Sequence, residues 1–167
     1  MFENATSPEQ VFSAKLGSAL MMELKLVDAL EQLAQRAQRE EIKQALQQHR
    51  EETRRHARNI EDAFRLLGEE IQESSNPVVE ALAKDGSTTI RKTDDSLVDA
   101  AVLAAATEAE HYEIAVYETL ITSAEARGAA QVADLLRQNL GEEQRALEIA
   151  STTMKTVADE GISVSAR

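Results

Sequence analysis

Four stretches of this chain carry apolar residues at intervals of three and four, and each is broken partway along by an acidic or imidazole side chain. The first runs Leu16, Leu20, Glu23, Val27, Leu30, Ala34, Ala37, and the second Ile42, Ala45, Leu46, His49, Glu52 or Thr53, His56, Ile60, Ala63, Leu67. The third holds Leu103, Ala106, Glu110, Glu113, Tyr117, Leu120, Ala124, and the fourth Val132, Leu136, Leu140, Glu143, Leu147, Ala150, Met154, Val157. Such spacing lines one face of a helix. The chain therefore has to build long helices whose common interior is apolar at both ends and polar between. Only two prolines, six glycines and 3% aromatic residues accompany a surplus of helix-favouring Ala, Leu, Glu, Gln and Arg, so the class is all-α.

The signals that start and stop helices divide the chain into two antiparallel hairpins. Ser7 can cap a helix that opens on Pro8, with Gln10 at the capping-box position. The first stripe cannot continue past Ala37, where its register would meet Glu41, Gln44 and Gln48, so a tight turn is expected near residue 38. Gly68 ends the second helix and Gly128 turns the third into the fourth. The expected helices are about 8–37, 40–67, 96–126 and 129–157 in one domain, 8–157. Residues 70–95 then form a crossover with a short helix at Pro77–Lys84, and 158–167 a loose tail.

A formal net charge of −12 repels nucleic-acid phosphates and anionic lipid, so neither nucleic acid nor membrane is an expected partner. No apolar run is long enough to span a bilayer, and the absence of cysteine excludes disulfides and thiolate ligands. The opening "MFENATSPEQ" has no basic start or apolar core of a signal peptide, and a cytoplasmic location is expected.

Depth along each hairpin brings the polar intruders together. Glu23 stands 15 residues before position 38 and Glu52 14 after it; Glu113 and Glu143 stand 15 on either side of position 128. Antiparallel neighbours equally far from their turn lie side by side, here roughly 22 Å along each helix. His49 and Glu110 lie one turn away, each three residues before its partner on the same face. Five carboxylates and an imidazole in one interior would repel and take up protons unless cations balance them. Two iron ions, or two manganese ions, accept this mixture of oxygen and imidazole ligands.

The same residues carry a family resemblance. Glu23, "QHREET" (Gln48 to Thr53) followed by "RNIEDAFRLLG", "EHYEIAVYETL" (Glu110 to Leu120) and "LGEEQRAL" (Leu140 to Leu147) are similar to the YciE/YciF group of the ferritin-like superfamily, over about Phe12 to Val157. The resemblance implies a ferritin-like four-helix bundle, a homodimer, and a dinuclear metal centre held mainly by glutamates. Position by position it points to Glu23, His49, Glu52, Glu110, Glu113 and Glu143. Ferritins place histidine three residues after a glutamate, whereas here position 55 is Arg and His49 precedes Glu52.

Other polar residues have plainer roles on the pattern alone. Arg50, Glu51, Arg54 and Arg55 suit a solvated face, and Glu142 and Glu118 fall outside their stripes. His56 faces the seam as support for a ligand or as packing. Glu108 and His111 spell the ferritin spacing but lie off the stripe. Tyr117, one turn past Glu113, either donates a hydrogen bond or an electron to such a centre or fills the core. Three functions are compatible with these readings: a ferroxidase or peroxidase-like oxidoreductase using dioxygen or hydrogen peroxide in stress response or iron homeostasis, a metal-sequestering protein without turnover, and a metal-free interaction module.

Overall fold

Ser7, in extended conformation, caps the first helix by accepting the amide of Gln10 at 3.3 Å, and Pro8 supplies a first helical residue that needs no partner. The Gln10 side chain reaches back to the amide of Thr6, one residue earlier than a capping box requires. A computed structural model describes the backbone of residues 5–165 and the side chains up to residue 160. It contains α1 (Pro8–Arg36), α2 (Glu40–Leu67), α3 (Pro77–Lys92), α4 (Val98–Ala126) and α5 (Ala130–Ser165), with a 3-10 turn at Asp95–Leu97 before α4. No strand occurs among the described residues, and none of these helices is long and apolar enough to cross a membrane.

Helix α1 packs on α2 and α4, and α5 packs on α2 and α4, so the four long helices close a bundle with α3 laid against α1 and α4. The hairpins are tied at both ends. At one end Asp99 of α4 accepts the amides of Gln38 and Arg39 at 2.6 and 3.2 Å, capping α2, whose own cap residue Arg39 supplies no side-chain acceptor. At the other end Arg127 donates to the Pro8 carbonyl at 3.0 Å and its guanidinium lies 4.1 Å from the centre of the Phe12 ring. Those ties hold the two hairpins at one level.

Two segments differ from expectation. The short helix at Pro77–Lys84 continues to Lys92, because Gly86 acts as a contact rather than a stop: a Cβ there would stand 2.9 Å from the Cβ of Ala105, so α3 rides close on α4 while Val79 and Ile90 are buried. Helix α5 runs through the segment expected as a loose tail, to Ser165, with Glu160 ion-paired to Arg39 beyond the α1–α2 turn. Gly17 is required elsewhere. The segment before α3 crosses it, and a Cβ would meet the Gln72 carbonyl oxygen at 2.6 Å.

The apolar core is split. One cluster joins Phe12, Leu16, Leu20, Ile60, Phe64, Leu120 and Leu136; the other joins Leu30, Ile42, Leu46, Val98, Val102 and Leu103. Between them lies a layer of buried polar side chains.

Candidate metal centre

The polar layer draws on all four long helices: Glu23 from α1; His49, Thr53 and His56 from α2; Glu110, Glu113 and Tyr117 from α4; Asn139 and Glu143 from α5. None is more than 6% exposed. Two groups of potential ligand atoms form within it. In one, His49, Glu110, Glu113 and Glu143 each offer an atom within 4.8 Å of the others; in the second, Glu23, His56 and Glu143 do the same. Glu143 belongs to both.

Each histidine is held by one nitrogen and faces the layer with the other. His49 Nδ1 lies 3.3 Å from Glu52 Oε2, while its Nε2 stands 3.0 Å from Glu110 Oε1 and 3.2 Å from Glu143 Oε2. His56 Nε2 lies 2.9 Å from Glu142 Oε2, while its Nδ1 stands 2.6 Å from Glu143 Oε1 and 3.6 Å from Glu23 Oε2. When the outward nitrogen donates its proton to the outer carboxylate, the inward nitrogen is left with a free lone pair. The inward contacts are close but misaligned: His49 Nε2, His56 Nδ1, both Glu143 oxygens and one oxygen each of Glu23, Glu110 and Glu113 are buried without a hydrogen bond. Buried polar atoms left in this condition are costly, and their convergence is what shared cations would satisfy.

Charge makes the same point. Glu23, Glu110, Glu113 and Glu143 are four buried carboxylates facing two imidazoles, so two divalent ions would neutralise them with both histidines neutral. Without cations, protons must serve instead. Burial, then the charges of Glu143, Glu23 and Glu110, push the Glu113 carboxyl well above the ordinary range. Burial raises Glu23, with His56 and Tyr117 opposing, and lifts Glu110 to about 7 against the pull of His49. Burial disfavours charge on the histidines, yet the carboxylates outweigh it: Glu110, Glu143 and Glu52 hold His49 well above its usual value, and Glu143 and Glu23 raise His56 to about 10. Burial works against the Glu143 carboxylate too, but the two imidazoles keep it ionised far below the usual range.

A ring of outer contacts fixes these groups. Tyr117 donates its hydroxyl proton to Glu23 Oε1 and accepts from Asn139 Nδ2 at 3.0 Å; Asn59 in turn donates to Asn139 Oδ1 at 2.7 Å. Burial and the nearby carboxylates of Glu23 and Glu143 keep the Tyr117 phenol protonated well past its ordinary range. Glu142, read from the pattern as solvated, both holds His56 and takes Arg55 at 3.1 Å.

Glu23, His49, Glu110, Glu113 and Glu143 are thus brought together, while Glu52 falls outside both groups. Its side chain is 19% exposed, and it reaches the layer only through His49. His56 takes the inward place instead. The pattern admitted either Glu52 or Thr53, and Thr53, 15 residues past position 38, continues the seam from His49 to His56 and Ile60. Thr53 turns its hydroxyl to the His49 carbonyl at 3.0 Å, so the glutamate-to-histidine spacing of ferritins is kept here with threonine in the first position. His111 is exposed and belongs to neither group.

A family model described as a domain of unknown function, DUF892, matches residues 7–165. This chain belongs to the DUF892 family. Protein YciF of Escherichia coli (strain K12), which the sequence motifs resemble, is 35% identical over 153 residues, covering 90% of this chain and 92% of that protein. The crystal structure of the E. coli stress protein YciF superposes with a TM-score of 0.89 at 30% identity, covering 93% of this DUF892 chain and 99% of that one. YcfI from Rhodopseudomonas palustris matches with a TM-score of 0.88 at 29% identity, covering 91% and 98%. The bundle is accordingly of the ferritin-like, YciF type.

Proposed function

We propose that this chain is a dinuclear metal protein, with two iron ions as its resident metals and manganese as the alternative, that reacts with dioxygen or hydrogen peroxide. The observation that carries this reading is the pair of ligand groups joined by Glu143, each with a histidine anchored from outside and buried oxygens that lack hydrogen bonds. Carboxylate oxygen with imidazole nitrogen suits iron and manganese, and the absence of cysteine removes sulfur-seeking alternatives. His49, Glu110, Glu113 and Glu143 would hold one ion; Glu23, His56 and Glu143 would hold the other. Two ferrous ions supply electrons for reducing dioxygen or peroxide.

The chain's own contribution is to hold and shield. Glu52 and Glu142 fix which nitrogen of each histidine faces inward, Tyr117 holds a proton against Glu23, and the apolar clusters pack on both sides of the layer. E. coli YciF is described as a stress protein, and that kinship supports a role in stress response; the reading of iron homeostasis rests on the ligand layer alone. A cytoplasmic homodimer completes the reading.

Sequestration without turnover uses the same residues, and YcfI is described as a candidate structural protein. Anaerobic ferrous loading followed by rapid mixing separates the readings. Two irons per chain, oxidised within seconds by one oxidant much faster than free ferrous ion, support an oxidoreductase. Two irons that oxidise no faster than free ion leave a sequestering protein, and failure to bind metal removes both.

A further inference from the structure

A cavity of about 200 Å³ leads from the surface to the ligand layer. It opens beside Ile149 and Arg145 and ends on His49, Glu52 and Glu110. Its walls are largely apolar, with Gln48 and Thr153 as polar members, and Ala106, Ala146 and Ala150 leave space that larger side chains would fill. Ile149, 52% exposed, puts an apolar surface at the entrance.

The size exceeds what the oxidant needs. A water-sized molecule requires about 10–15 Å³ on this measure, and an engineered cavity of about 150 Å³ accepts benzene. Dioxygen or peroxide alone would leave most of the volume unused. The inner wall is chemically biased as well, since carboxylate oxygens of Glu110 and Glu52 accept hydrogen bonds, and one buried Glu110 oxygen has no donor. A ligand that fits has an apolar body and a donor at its leading end. The chain's charge of −12, with Glu52 in the wall, disfavours an anion despite Arg145 at the mouth.

We propose that this cavity binds a neutral organic molecule about the size of one six-membered ring, led by a hydroxyl directed at Glu110 and Glu52, with phenols as the ligand class. Seated there, such a molecule lies beside His49 and Glu110 of the first ligand group, and its nearness to a metal rests on the metal-centre reading. The cavity itself does not.

The test uses phenol as probe on the full chain, metal-free and manganese-loaded, followed by ligand-observed NMR. Saturable binding of one phenol per chain is expected in both forms, with enhanced relaxation of its ring protons in the manganese form. Ala146→Leu and Ala45→Leu, both half-buried positions on the wall, should each weaken binding at least tenfold while circular dichroism and metal content stay unchanged. Benzene, lacking the hydroxyl, should bind at least fivefold more weakly. No saturable binding to the metal-free chain, or equal affinity in both filled variants and the wild type, overturns the proposal whatever the metal content. Equal binding of benzene and phenol overturns the hydroxyl assignment. If manganese fails to bind while phenol binds and both variants lose it, the cavity stands and the metal reading falls.

Discussion

Glu143 and Glu113 are both buried carboxylates in one layer, yet their replacement by glutamine should have very unequal consequences in the metal-free protein. Glu143 is the ionised partner of two imidazoles, at 3.2 Å from His49 Nε2 and 2.6 Å from His56 Nδ1. Breaking a buried ion pair by removing one partner costs about 3–5 kcal/mol. Glutamine keeps the shape, and the histidines can shed their protons, so the lower end, about 3 kcal/mol, is expected for Glu143→Gln. At roughly 2–4 °C per kcal/mol for a chain of this size, Tm should fall by about 6–12 °C. Glu113 is surrounded by other carboxylates and held protonated. An amide in place of a neutral carboxyl changes little, so Glu113→Gln should lie within about 1 kcal/mol of wild type. Metal reverses the ranking's meaning, because both residues belong to the ligand groups and both variants should lose at least one ion per chain. Urea unfolding in chelator, read by circular dichroism with elemental analysis of parallel samples, tests all four values. Equal loss of stability in the two metal-free variants would refute the assignment of charge within the layer.

In chelator, stability should fall as pH rises from about 5 to 10: folded Glu110 and His56 keep protons, up to about 7 and about 10, that the unfolded chain has already released at 4.5 and 6.5. The lowered Glu143 acts only below 4.5 and does not alter that trend. Manganese must displace the same protons, so its stabilising effect should grow over that range, and parallel pH profiles with and without metal would contradict the account. Glu142→Ala should weaken metal binding about 10–100-fold by freeing His56, whereas Glu51→Ala, on the outer face, should leave it unchanged in a competitive chelator titration. Asp99→Ala removes the cap shared between hairpins and should cost about 1–2 kcal/mol in urea unfolding, with full metal capacity once folded.

Much of the bundle was legible because four stripes of helical period leave few ways to bury themselves, and because turns at Gly68 and Gly128 carry left-handed backbone that glycine favours. The candidate site was legible where a seam was unambiguous. Glu23, Glu113 and Glu143 sit on single stripes, and counting from the turns places them together. Helix α2 is less decisive, since adjacent Glu52 and Thr53 both border the seam and a carboxylate looks like the better ligand. Its inward residue is the threonine, which carries His56 into the layer one turn on. Glu142 could not be found from α5 alone, because its partner His56 belongs to another helix 86 residues away. The length of α3 was hidden by Gly86, which reads as a breaker until its contact with Ala105 is known.

Anomalous X-ray diffraction from crystals of the manganese- or iron-loaded chain, collected at the metal edge, tests the central claim most directly. Two peaks per chain are expected, one among His49, Glu110, Glu113 and Glu143 and one among Glu23, His56 and Glu143, with Glu143 touching both. Metal found only on surface carboxylates, or an undisturbed layer without either peak, would contradict the account.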